Sequence, residues 1–333
     1  MTNAFNHFGI IGGGAWGTAL GLSLRRSGRQ VTLWARDAAV IDAINMRHEN
    51  PDYLPGVPLD HGLHATGDAA ALSSCDALLL TVPAQYLRAV LMQFRPIRPD
   101  APLIICCKGI ERETLALMSD IVAATHPLNP AAVLSGPTFA AEVARGLPTA
   151  VTLALRDQEL GGRLAQAFGS KALRPYLSDD MIGTQIGGAV KNVLAVGCGI
   201  VEGRGLGDNG RAAIITRGLS ELTRLGRALG GKTETFMGLS GLGDLVLTCT
   251  GAQSRNMSLG YALGQGRALA DILAERKSVA EGIYTAAAAV ALAARHNVEL
   301  PICAAVDRIL SNNASLDSEI DGLLSRPLKQ EGI

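Results

Sequence analysis

A short apolar run near the start of the chain, Phe8-Gly9-Ile10-Ile11, leads into Gly12-Gly13-Gly14-Ala15-Trp16-Gly17. Glycines at 12, 14 and 17 have the G-x-G-x-x-G spacing of a dinucleotide-binding turn. Each has a separate physical task. Gly12 lets the chain reverse sharply out of a strand. Gly14 has no side chain, so a pyrophosphate can approach the backbone. Gly17 lets the following helix lie close on the strand. The helix amides and dipole then face the phosphates. Such glycines also occur in ordinary turns. Here an apolar run precedes them and an amphipathic stretch follows (Ala19, Leu20, Leu22, Leu24), which is the context a nucleotide site requires.

The remaining pattern fits that beginning. Aliphatic runs at 8–11, 30–35, 77–82, 103–107, 132–135 and 150–155 read as strands. Stretches at 15–27, 37–46, 84–94, 111–124 and 157–168 read as helices between them. Strands alternating with helices predict a mostly parallel sheet covered on both faces. Beyond Ser178 strand signals nearly vanish, and 179–201, 209–229, 254–264, 266–276 and 283–296 read as helices. The expected fold is therefore α/β. An N-terminal doubly wound, Rossmann-type parallel sheet occupies 1–185, and an all-α domain occupies 186–333.

Bulk properties exclude several functions. The 333 residues carry 30 Lys plus Arg and 30 Asp plus Glu, so there is no net charge to favour nucleic acid or an anionic membrane. The Ala-rich stretch 283–294 is too short to span a bilayer. The N-terminus lacks the basic and apolar regions of a signal peptide. Six cysteines without a C-x-x-C pair read as reduced thiols in a cytoplasmic protein. His61 and His64 have no third ligand nearby in sequence, so no metal site is expected.

Arg36 and Asp37 end the second strand. An acid there suits the ribose hydroxyl of NAD, whereas an arginine suits the 2′-phosphate of NADP. With Arg36 at the tip, NADP(H) is preferred and NAD(H) is possible. Asp37 also suits the N-cap of the next helix.

Several residues can do chemistry. Lys191 is the only charge between Asp180 and Glu202, in an apolar helix with small residues at 183, 187 and 188. Burial there lowers its pKa towards a useful acid–base value; the alternative is a lysine that snorkels to the surface. Lys108 and the turn Ser135-Gly136-Pro137-Thr138 each follow a strand, at the ends where open sheets bind ligands. A surface charge and a simple turn are the competing readings. Residues 238–245 read as a glycine-dense loop carrying one acid, Asp244. Ser254 can cap the next helix. An arginine in its first turn, Arg255, opposes the helix dipole unless an anion binds there.

Taken in order, the motifs at 12–19, 53–56 (YLPG), 107–111 (CKGIE), 135–140 (SGPTFA), 188–193 (GAVKNV), 205–209 (GLGDN), 239–245 (LSGLGDL), 254–256 (SRN) and 279–282 (VAEG) cover nearly the whole chain. The sequence resembles the bacterial NAD(P)H-dependent glycerol-3-phosphate dehydrogenases. The resemblance implies reduction of dihydroxyacetone phosphate to sn-glycerol 3-phosphate for glycerophospholipid synthesis, by a homodimer. It implies a coenzyme lining of Gly12, Gly14, Ala15, Trp16, Gly17, Arg36, Asp37, Tyr53, Lys108, Ala140, Arg255, Val279 and Glu281. Around the substrate it implies Lys108, Gly136, Thr138, Lys191, Asp244, Ser254, Arg255 and Asn256, with Lys191 as the catalytic acid–base group. Ala15 and Thr138 stand where that family often has serine. Ketopantoate reductases and 3-hydroxyacid dehydrogenases share the glycine turn and a catalytic lysine but act on carboxylates.

Overall fold

The computed structural model describes residues 5–94, 97–276, 280–327 and 330. The chain forms two compact units. The first comprises Met1–Cys107 and Met118–Met181. The second comprises Lys108–Leu117 and Ile182–Ile333. The short excursion at Lys108–Leu117 is a feature that element types along the sequence do not reveal.

The first unit is an eight-stranded sheet: β1 (His7–Ile11), β2 (Gln30–Trp34), β3 (Leu63–Thr66), β4 (Ala77–Leu80), β5 (Leu103–Ile105), β6 (Ala131–Ser135), β7 (Thr149–Ala154) and β8 (Leu173–Ser178). Its order is β3-β2-β1-β4-β5-β6-β7-β8. Neighbours run parallel except β6 and β7. Strands buried on both faces are apolar without alternation, and Leu78-Leu79-Leu80 and Leu103-Ile104-Ile105 are fully buried. Two strands escape the sequence reading. β3 is a short Leu-His-Ala-Thr segment that alternates between buried and exposed. β8 contains Pro175, which a sheet tolerates at an edge.

The helix Ala15–Arg26 leaves β1 through the glycine turn. Gly12 has φ +127°, and a Cβ there would meet Thr81 Oγ1 at 2.7 Å. A Cβ on Gly17 would collide with the Gly12 carbonyl, whereas one on Gly14 would meet nothing within 4 Å. The three positions thus serve as turn, open approach and close packing.

The second unit is built around the helix Met181–Gly203, buried from Gly183 to Val201. It is long and apolar enough to cross a membrane, yet it is the core of its unit. Gly199 and Gly260 let it cross the helix Arg255–Gly264 at backbone distance, each facing a carbonyl of the other helix. The same unit holds the helices Gly207–Ala228, Thr233–Met237, Asp244–Thr250, Leu269–Ala274, Gly282–Arg295, Pro301–Asn312 and Leu316–Leu324. The buried Glu221 accepts from Ile302 N (2.7 Å) and Cys303 N (3.1 Å). It satisfies two of the orphan amides that open the helix at Pro301, while burial raises its pKa.

Two local expectations are corrected. The helix expected at 111–124 covers only Met118–Thr125. Ahead of it Ile110 bridges to Leu117, Leu115 adopts φ 63°, and all three residues are buried in the second unit's core. Burying those side chains takes the chain off a helical path. The expected loop at 238–245 is instead a π-type turn, Leu239–Gly243, that runs into the helix Asp244–Thr250. Helical hydrogen bonding and packing override the weak propensity of its glycines.

Candidate active site

In the first unit the glycine turn is shaped for a dinucleotide. Gly14 is the N-cap of the helix Ala15–Arg26 and offers no side-chain hydrogen bond to its first amides. Its open Cβ direction leaves those donors approachable. These two observations are what a pyrophosphate needs. Trp16 is half-buried, and its Nε1 is buried without a partner among the described residues. Arg36 and Asp37 follow β2 and are exposed. Asp37 Oδ1 accepts from Ala39 N at 2.9 Å, the N-cap that the sequence reading allows it. Tyr53 is half-exposed in a turn closed by a bridge between Asn50 and Leu54. Gly136 follows β6 with φ +144°, and Thr138 Oγ1 donates to its carbonyl at 3.3 Å. Ala140 opens the helix Ala140–Ala144.

In the second unit an ion cluster gathers three parts of the chain. Asp244, at the start of its helix, is fully buried. Its Oδ1 accepts from Lys191 Nζ at 2.5 Å and its Oδ2 from Lys108 Nζ at 2.6 Å. The lysine of the long apolar helix is therefore buried, as desolvation reasoning expects, and does not snorkel. Lys191 Nζ also donates to Thr248 Oγ1 at 2.8 Å, and the Thr248 hydroxyl donates to the Asp244 carbonyl at 2.6 Å. Burial pushes the Lys191 ammonium down from 10.5 to about 8; the Asp244 carboxylate pulls it up and the Lys108 cation pushes it further down.

A second cluster adjoins it along the same helix. Asn256 Nδ2 donates to Asn192 Oδ1 at 2.9 Å, and Asn256 Oδ1 accepts from Gly282 N at 3.0 Å. Asn256 thus joins the residue next to Lys191 to the residue after Glu281. Ser254 Oγ caps its helix by accepting from Met257 N at 3.2 Å, as the sequence suggests. Arg255 is exposed in the first turn, and its carbonyl accepts from Arg276 Nη1 at 2.9 Å. The amide of Asn256 and the hydroxyl of Ser254 each carry a further donor hydrogen by their chemistry. Val279 lies outside the described residues.

Sequence reasoning overlooks Thr248 and Asn192. Thr248 lies four residues beyond Asp244, on one helix face. Reading that stretch as a loop hides the relation. Asn192 has no signal of its own beyond its place beside Lys191.

Comparison with known proteins finds a family match and relatives along nearly the whole chain. Residues 7–161 match the family described as NAD-dependent glycerol-3-phosphate dehydrogenase N-terminus, and 180–321 match its C-terminus. The chain is 60% identical over its whole length to the glycerol-3-phosphate dehydrogenase [NAD(P)+] of Rhodospirillum rubrum, covering 96% of that protein. It is 52% identical to the enzyme of the same name from Parvibaculum lavamentivorans, over 99% of this chain and 100% of the relative. The crystal structure of glycerol-3-phosphate dehydrogenase from Coxiella burnetii superimposes with a TM-score of 0.93 at 39% identity, covering 96% of this chain and 99% of that one.

Proposed function

Because the chain belongs to the NAD-dependent glycerol-3-phosphate dehydrogenase family, we propose how its residues divide the reaction. That reaction is the NAD(P)H-dependent reduction of dihydroxyacetone phosphate to glycerol 3-phosphate. The nicotinamide coenzyme supplies the hydride when bound. The protein's residues bind, orient and move a proton. Gly12, Gly14, Ala15, Trp16 and Gly17 take the coenzyme's pyrophosphate side. Arg36 takes the 2′-phosphate, so NADPH is preferred to NADH. Tyr53, Ala140, Arg255, Val279 and Glu281 complete the coenzyme contacts.

Lys191 is the proton donor in ketone reduction. Negative charge grows on the substrate's carbonyl oxygen as the ketone is reduced. The ammonium groups of Lys191 and Lys108 stabilise that charge, and Lys191 Nζ gives up its proton to form the alcohol. Asp244 holds both ammonium groups in fixed directions, and Thr248 holds Lys191 from the other side. Arg255, with the free donors of Ser254 and Asn256, takes the substrate phosphate; Gly136 and Thr138 add contacts to the substrate. The observation that carries this reading is the buried Asp244 carboxylate with one lysine on each oxygen.

Six free cysteines fit a reducing compartment, and we place the enzyme in the cytoplasm. The product is the backbone alcohol of glycerophospholipids, and the family resemblance supports a homodimer. An absorbance assay tests the reading. NADPH is consumed with dihydroxyacetone phosphate and not with unphosphorylated dihydroxyacetone or ketopantoate at equal concentration. Equal rates with the unphosphorylated ketone would overturn the phosphate assignment.

A further inference from the structure

One buried amide ties the loop that carries Tyr53 to the glycine turn. Asn50 is 1% exposed. Its Nδ2 donates to the Gly13 carbonyl at 2.9 Å and to Thr18 Oγ1 at 2.8 Å. The Thr18 hydroxyl donates in turn to the Gly14 carbonyl at 3.0 Å. On its backbone side, the Asn50 carbonyl accepts from Tyr53 N at 3.3 Å and Leu54 N at 2.7 Å. The other side-chain atom, Oδ1, is buried with no partner among the described residues. A buried acceptor left without a donor opposes folding and offsets part of what the two donated bonds contribute. What distinguishes it is the pair of donors it sends into the turn.

The peptide geometry gives those donors a purpose. Across a trans peptide the C=O and the N–H point in opposite directions. Holding the Gly13 carbonyl on the Asn50 side therefore turns the Gly14 N–H to the other side. Gly14 is the residue whose Cβ direction is open and which begins the helix Ala15–Arg26. Its N–H and the next amides are the ones that would meet phosphate oxygens. We infer that Asn50 is a positioning residue for coenzyme binding, aiming the Gly14 amide at the pyrophosphate through the Gly13 carbonyl and fixing Tyr53 relative to that turn. The inference rests on the glycine turn being the coenzyme site.

The test compares two ligands of the same protein. NADPH carries the pyrophosphate; adenosine 2′-monophosphate lacks it. In Asn50→Asp, a variant of the same shape that has no side-chain donors, the Kd for NADPH rises about tenfold or more, the scale of one lost buried hydrogen bond. The Kd for adenosine 2′-monophosphate changes less than twofold. Asn50→Ala, which adds no charge, gives the same split. Thr18→Ser keeps the hydroxyl that Asn50 holds and retains NADPH affinity, while Thr18→Val loses part of it. A merely structural role predicts lower melting temperatures with no difference between the two ligands, and that result overturns the inference. So does unchanged NADPH affinity in the Asn50 variants when the wild-type protein binds NADPH. Failure of the wild-type protein to bind NADPH overturns the coenzyme reading itself, and the inference with it.

Discussion

The glycine turn and the lysine–aspartate cluster solve opposite problems. The turn presents backbone amides that six consecutive residues, Gly12 to Gly17, bring together. It works by leaving side chains out. The cluster is built from side-chain charge, and its members stand far apart in sequence: Lys191 is 53 residues and Lys108 136 residues from Asp244. It works by burying charge that water would otherwise solvate. A local device writes itself into spacing. A non-local device writes only its parts, and folding supplies their relation.

Substitutions that strike one region and spare the other break the comparison cleanly. The largest effect falls on Lys191→Ala. Turnover with dihydroxyacetone phosphate drops by about a hundredfold or more, within the usual range for an acid–base group, while NADPH titration shows little change in Kd. Near-normal turnover removes Lys191 from its role. Asp244→Asn comes next. It takes away the carboxylate that raises the Lys191 pKa and to which both ammonium groups donate. Steady-state assays then show a loss of tenfold or more, and denaturant unfolding shows about 3 kcal/mol less stability, the usual result of breaking a buried ion pair.

The turn responds to a single methyl group according to where it lands. Gly17→Ala drives a Cβ into the Gly12 carbonyl, and overpacking of this kind costs about 1–3 kcal/mol. Gly14→Ala meets nothing within 4 Å, so stability stays within about 0.5 kcal/mol while NADPH affinity falls. If both variants unfold alike, the open approach at Gly14 is wrong. Arg36→Ala shifts the ratio of kcat/KM for NADPH over NADH towards NADH by about tenfold, the value of one charge-assisted contact. An unchanged ratio rejects Arg36 as the 2′-phosphate ligand.

Much of the first unit is legible in the sequence for the same reason as the turn. Strands buried on both faces, such as Leu78–Leu80, are continuous aliphatic runs, and Asp37 stands where a helix cap belongs, as Ser254 does in the second unit. What escapes is whatever tertiary packing decides. β8 holds a proline that only an edge position accommodates. Residues 110–117 leave a helical path because Ile110, Leu115 and Leu117 are buried in the second unit. Residues 238–245 look like a glycine loop, which hides the start of the helix Asp244–Thr250 and with it the relation between Asp244 and Thr248. Lys191 is legible because a lone charge in an apolar helix is conspicuous. Asn192 and Asn50 are not, since an asparagine in isolation signals only a turn or a cap.

As the proposed proton donor, Lys191 acts from a buried ammonium pushed down to about 8. The sign follows from the direction of the reaction. Ketone reduction needs the protonated lysine, so its rate is full below that value and lost above it; alcohol oxidation needs the neutral amine and gains over the same range. The direct measurement is kcat/KM for dihydroxyacetone phosphate and for glycerol 3-phosphate against pH, which reports the group before substrate binds. With Lys191 in that role, the reduction limb falls and the oxidation limb rises around pH 8. Limbs that stay flat between about pH 7 and 10, or that move together, would contradict it.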